Sequence, residues 1–406
     1  MMPLMIRIGI AASDAFIYAG RLFIVLKDRR IGHVALSSIL HKAFREDGQW
    51  EKKILRIAFS RNDYYSNTQG ETIFGIDGLP EAFRSAWDAQ AMNPLEIDWD
   101  DADFTCIAQL PNDSTVLDIR AYAMRLFFAT SNSVHEIRLN PDDNGYDIRP
   151  GKLERIFDGV GMSLSAKGGE VLVSTGHDGL MNGTIRDDRK HTIVNEHPIQ
   201  DVSFRSGWSG FNLLNYVDQS RFNYLINDTI RSQRKIERSK FDERPSKQIA
   251  KFGSKVLSGQ SMDRGGSFSK RSVIYAFNSA SSAFMYDTSG QLTISSIIKD
   301  AHNEAHLSSR PKTIDLGKRS RIDRPVSHAV IPGGCIIEFF DRVQLCQNNE
   351  VTVLQEGAML STKSYMSSAR YKNLLTTVGD DFVTIFSIYP LDFKSQSRRP
   401  IPQDEE

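Results

Sequence analysis

Three observations in this 406-residue sequence predict an all-β chain built from repeated small sheets. The first is the stretch SVIYAFNSASSAFMYDTSGQLTISSI, which reads as three short strands at 273–277, 283–286 and 292–297. Its last two strands are joined by Asp287-Thr288-Ser289-Gly290, a turn whose glycine accepts the positive φ of a tight connection. The second is repetition: looser versions of this meander recur, and the comparable positions Val116, Val160 and Val202 lie 44 and 42 residues apart. A three-strand meander cannot bury its apolar face alone, so it needs neighbours of its own kind. The third is a leading strand at 5–10, standing apart from any meander and suited to completing a final sheet with C-terminal strands. Together they predict a β-propeller of about seven (six to eight) four-stranded blades, with a small helical insertion and long charged loops.

In chain order, strands are expected at 5–10, 15–19, 22–27 and 32–36, with Arg29 and Arg30 at a turn, and again at 54–59. The pattern then changes. Leu79, Phe83, Ala86, Trp87 and Ala91 recur at three- and four-residue spacing, and Pro80 stands near the first helical position, where its missing N–H costs least. This is the helical insertion, placed at about 79–92. An acidic run at 98–103 leads to a strand at 104–108. A clear unit follows at 115–120, 125–130 and 133–139. Another spans 161–185, with Asp178-Gly179 and Asn182-Gly183 read as turns. The arms 211–216 and 221–227 form a hairpin around Val217-Asp218-Gln219-Ser220. Polar inserts are expected at 231–255 and 299–325, and two closing units at 326–355 and 360–391. Residues 1–393 are read as one propeller domain. The polar tail 394–406 is expected to be disordered.

Composition sets the class. Apolar residues make up 40% and charged residues 25%, an ordinary globular balance. Lys+Arg and Asp+Glu are both 50, so net charge argues for no partner class, and only local clustering does. Three scattered cysteines, Cys106, Cys335 and Cys346, are too few for a disulfide framework or a zinc site. A reduced, cytoplasmic setting is expected. The apolar start is interrupted by Arg7 and Asp14 before a signal-peptide core forms, and no segment reaches the ~18–20 apolar residues of a membrane span.

The meander, the repeat spacing and the Tyr286-Asp287-Thr288-Ser289-Gly290 turn resemble those of WD40-like β-propellers, over most of the chain. The resemblance is architectural. Repeat-end Trp-Asp pairs are missing: Trp99-Asp100 is the one instance, in an acidic lead-in, and Gly32-His33 and Gly176-His177 do not open units. A β-sandwich array or a two-domain α+β protein is the alternative at this point.

No catalytic motif stands out. His302 and His306 are spaced to share a helix face, but Asn303 occupies the position where the metalloprotease pattern has glutamate. That segment reads as a short solvated helix. Gly207-Trp208-Ser209-Gly210 lacks the spacing of a nucleophile elbow and reads as a turn. His177-Asp178 with Asp187-Asp188 reads as turn chemistry. No cofactor or metal is expected.

The sharper signal is basic. Arg231, Arg234, Lys235, Arg238 and Lys240 crowd one insert, and Lys318, Arg319, Arg321 and Arg324 crowd the other. Such clusters suit phosphate contacts or an anionic partner, since each neutralised phosphate releases counterions. Solvated charged loops are the plainer reading. The expectation is therefore a non-enzymatic scaffold binding a protein partner in a cytoplasmic complex. Its contact elements are expected in the inserts, the helix and the acidic run. A nucleic-acid-associated module using 231–255 and 310–324 is the first alternative, and a propeller hydrolase or lyase with a channel-face site the second.

Overall fold

The computed structural model describes residues 2–45, 53–60, 77–91, 93–100, 103–112, 114–141, 148–185, 191–209, 212–227, 252–258, 262, 272–299, 305–317, 319–366, 368 and 370–388. Its strands form seven sheets of four or five strands, the blades of a β-propeller. The chain divides into two compact units, one holding residues 1–110 and 325–406, the other 111–324.

The first unit carries three blades. Blade 1 is built from Ala12–Tyr18, Arg21–Leu26, Arg30–Ala35 and Thr105–Gln109. Blade 6 is one continuous run: Ser327–Ile331, Gly334–Glu338, Arg342–Gln347 and Glu350–Glu356. Blade 7 draws on both ends of the chain. Ser361–Ser364, Leu374–Val378 and Val383–Ser387 are joined by the leading strand Leu4–Gly9, antiparallel, with Ile6 opposite Ile385. The expected closing role of the N-terminal strand is met. A fifth strand, Leu95–Asp98, then adds in parallel, with Ile6 opposite Leu95, and covers the edge that Leu4–Gly9 would otherwise expose.

Between the third and fourth strands of blade 1 the chain leaves for a helical insertion. It contains α1 (Leu36–Ala43), α2 (Arg56–Ser60) and α3 (Leu79–Gln90). The third is the expected helix, with Pro80 in its first turn and Phe83, Ala86 and Trp87 buried. Trp87 donates its indole N–H to the Met2 carbonyl at 2.7 Å and ties the helix to the residues that lead into blade 7. The stretch expected as a strand at 54–59 is helical instead. Ile54, Leu55, Ala58 and Phe59 are buried, a spacing that places four side chains on one helix face against Ile6, Ile385 and Trp87 of the same core. A six-residue run that is apolar except for Arg56 and lacks clear alternation does not distinguish the two states, and packing decides.

The second unit carries four blades. Blade 2 is Val116–Tyr122, Arg125–Thr130, Ser133–Pro141 and Ile148–Asp158; blade 3 is Ser163–Lys167, Glu170–Ser174, Leu180–Thr184 and Ile193–Ile199. Blade 4 is Arg205–Ser209, Asn212–Tyr216, Phe222–Asn227 and Phe252–Ser258. Blade 5 contains the organising stretch as Val273–Asn278, Ser282–Asp287 and Gln291–Lys299. In it Asp287 Oδ1 accepts the amides of Ser289 and Gln291, and Gly290 has φ +79°.

Several expectations in this unit change. Asn182-Gly183 lies within a strand, not a turn: a Cβ on Gly183 would come within 2.8–3.0 Å of Thr192, Val194 and Val171, so the glycine permits close packing. Residues 207–209 belong to the first strand of blade 4, where a Cβ on Gly207 would strike the Asn278 side chain. The 299–325 insert is not simply a loop. It returns as Ala305–Leu307 and Lys312–Asp315, both paired to Gln291–Lys299, and then makes a 3₁₀ turn, Arg319–Arg321. His306 therefore sits on a strand between buried Ala305 and Leu307, not on a helix; residues 302–304 lie outside the described residues. The 231–255 insert lies outside them up to residue 251, as does the 394–406 tail.

Candidate functional site

The basic residues divide. Arg231, Arg234, Lys235, Arg238, Lys240 and Lys318 lie outside the described residues. Arg319, Arg321 and Arg324 are exposed on the segment following blade 5. That segment is held to its blade by a buried tyrosine: the Tyr286 hydroxyl donates to the Ser320 carbonyl and lies 3.3 Å from that of Asp323. Gly290 allows the backbone of Arg321 to approach, since a Cβ there would fall 2.9–3.3 Å from Arg321 atoms. Arg321 lies 3.8 Å from Asp315, an exposed pair contributing little to stability. The arginine turn is thus an ordered edge of blade 5, with acids interleaved. The acidic run is also engaged. Lys42 of α1 reaches Asp103 and lies 3.8 Å from Asp100, and its hydrogen bond to Asp103 holds the ammonium pKa above its usual value.

In the second unit, a polar cavity of about 310 Å³ opens at one end of blade 2, lined by Ser114, Asn132, Ser133, His135, Leu153 and Arg155, with Pro111. His135 Nε2 lies 2.7 Å from Ser133 Oγ, and Asn132 Oδ1 accepts from the hydroxyls of Ser114, Thr130 and Ser133. Burial, with Arg155 nearby, lowers the His135 pKa, which keeps the imidazole neutral. A serine–histidine pair invites a nucleophilic reading. The geometry argues otherwise: Ser133 Oγ is shared among Asn132, Thr130 and His135 in one network, and among the described residues no carboxylate hydrogen-bonds the imidazole. The network orders a turn. His177 and Asp178 lie on an exposed turn in blade 3, with the His177 ring edge-on to Phe204 at 5.9 Å.

The strongest surface feature was not singled out from the sequence. In blade 6 the turn between the second and third strands carries Phe339-Phe340-Asp341. The Phe339 amide donates to the Arg342 carbonyl at 2.8 Å and closes the turn. Phe339 is fully buried, whereas Phe340 is 81% exposed. Arg342 makes the difference. Its side chain is buried beneath the turn, with the guanidinium 4.3 Å from the Phe339 ring centroid and 2.5 Å from Asp341 Oδ1. Phe339 is held inward and Asp341 to one side, which leaves Phe340 standing clear.

Two further apolar side chains share that end. Val326, 57% exposed, enters blade 6 with its amide bonded to the Glu338 carbonyl. Leu360, 51% exposed, enters blade 7 with its amide bonded to Val378. The first strands of blades 6 and 7 pack side by side, so these entries adjoin. A charged flank follows at the same end of blades 7 and 1, where Lys27 lies 3.6 Å from Asp380 and Arg30 lies 2.7 Å from Asp28. The available signal was local: a large aromatic next to aspartate in a short turn, where polar residues are the rule.

Seven meandering sheets, the last completed by the leading strand, decide the architecture. The chain is a β-propeller in fold. No protein-family model matches it, and no curated protein does. Among solved structures it is similar to YCF48 bound to a D1 peptide, at 9% identity and TM-score 0.47, covering 96% of each chain. It is also similar to the Neurospora crassa Pan2 WD40 domain, at 11% identity and TM-score 0.40, covering 95% of this chain and 91% of that one. Among the described residues, no helix is long and apolar enough to cross a membrane.

Proposed function

We propose that this propeller is a scaffold that binds a protein partner, as a subunit of a cytoplasmic complex. The contact surface is the end of blades 6 and 7 centred on Phe340. The observation that carries the reading is the contrast between Phe339 and Phe340, with a buried arginine fixing the turn between them. Aromatic side chains, phenylalanine among them, are enriched at the cores of protein interfaces. Val326 and Leu360 extend Phe340 into a small apolar centre, and Lys27, Asp28 and Asp380 supply a charged rim, the usual anatomy of such surfaces.

The test is affinity capture from native cells, with and without nuclease, using the parent chain and Phe340→Asp. A partner retained through nuclease by the parent and lost by the folded variant is the expected result. Capture that depends on nucleic acid, or that is equal for both chains, would sink this assignment.

A further inference from the structure

Blade 6 places two thiols face to face. Cys335 on Gly334–Glu338 stands directly opposite Cys346 on Arg342–Gln347. Both are free and fully buried, and their side chains are in hydrogen-bond contact. Directly opposite residues of an antiparallel pair lie on the same sheet face, with Cα atoms about 4.5 or 5.5 Å apart. Either separation falls inside the roughly 4.4–6.8 Å range that a disulfide spans. The Cβ atoms of such pairs are about 4.5–5.5 Å apart, against about 3.5–4.5 Å in a disulfide. Closing the bond therefore draws the strands together locally, and a bond closed under strain is readily reduced.

We propose that Cys335 and Cys346 form a reversible cross-strand disulfide when the protein meets a hydroperoxide. In the first step, the sulfur of one cysteine attacks a peroxide oxygen. The O–O bond breaks, water or alcohol leaves, and a sulfenic acid remains. The second sulfur then attacks the sulfenic sulfur, the S–O bond breaks, and water departs with the S–S bond formed. Two electrons pass from the thiols to the peroxide, and both thiol protons leave on the released oxygens. A dithiol reductant reverses the reaction by exchange. The hydrogen bond to Cys346, with burial, holds the Cys335 thiol well above its usual pKa, so the reaction waits on local opening of the hairpin. The same hairpin carries the Phe340 turn, which the disulfide would stiffen at its base.

The test uses the purified, reduced full-length chain treated with hydrogen peroxide, then quenched, denatured, alkylated and mapped by mass spectrometry. Of the three cysteines, the expected result is joint loss of alkylation at Cys335 and Cys346. The two peptides would be linked and two hydrogens lighter, and dithiothreitol would restore them. Cys106→Ser should leave this unchanged, because Cys106 takes no part in the pair, and in the parent chain the exposed Cys106 serves as the internal control. Full alkylation of Cys335 and Cys346 under conditions that oxidise Cys106 would overturn the proposal, as would a cross-link that runs through Cys106.

Discussion

Blades 6 and 7 lie side by side and are encoded in opposite ways. Blade 6 is a single run from Ser327 to Glu356, each strand paired to its sequence neighbour through a short turn. Blade 7 is assembled from a C-terminal meander, the leading strand Leu4–Gly9 and a parallel strand returned by the helical insertion. Local pairing needs little loop closure, whereas joining the two chain ends must overcome the closure entropy of nearly the whole polypeptide. Blade 7 meets that cost with apolar burial: Ile6, Ile8, Val383 and Ile385 are at most 2% exposed and share a core with Phe59 and Trp87. Blade 6 has an apolar core too, but beside it buries the ionisable side chains Glu338 and Arg342. One blade secures closure, and its neighbour holds a turn in a particular shape.

Perturbing the closure should have the largest effect. Ile6→Asp places an unpaired charge at a fully buried position opposite Ile385, and should cost at least about 4 kcal/mol in urea denaturation. An unfolding midpoint near that of the parent would mean that the leading strand does not carry the closure. Next is the brace. Trp87→Ala removes a buried indole and its bond to Met2, with an expected loss of about 3–5 kcal/mol in the same assay.

The third experiment moves to blade 6 and turns on pH. Burial raises the Glu338 pKa above 4.5, against the opposing effects of Thr362 and Lys363. Between the unfolded and folded values the folded chain binds more protons, so stability falls as pH rises through that window. Glu338→Gln removes a carboxylate that is costly to ionise. It should raise the melting temperature near pH 7 and leave it almost unchanged below about pH 4, where the acid is neutral in both states. A benefit independent of pH would show that ionisation is not the cause. The smallest change in stability is expected at the turn itself. Phe340→Asp, at an exposed site, should shift folding by no more than about 0.5 kcal/mol, as thermal melting would check. A larger loss would mean that Phe340 is part of the packing and not a free anchor.

Much of the architecture was legible in the sequence because it is local. Three short strand-forming runs and the Asp287–Gly290 turn mark blade 5, and the unpartnered strand near the N-terminus marks closure. Apolar spacing with Pro80 marks α3. These signals reside in a few adjacent residues, and the tertiary structure has no reason to override them. What the sequence did not disclose depends on neighbours distant along the chain. Residues 54–59 are apolar except for Arg56 and suit either state, and packing in the core with Ile6, Ile385 and Trp87 makes them helical. Gly183 resembles a turn glycine until Thr192 and Val194 are brought against it. The polar character of 299–325 suggests a loop, yet two of its segments find the open edge of Gln291–Lys299.

The site shows the same division at the scale of two residues. Sequence alone placed Phe339 and Phe340 within the closing unit 326–355, and it treats the two side chains alike. The tertiary structure buried one against Arg342 and left the other in solvent, because the direction of a side chain at a turn is set by what lies beneath it. It likewise decided that Cys335 and Cys346, ten residues apart in between, are direct partners, since strand register is fixed by the turn and the buried face together.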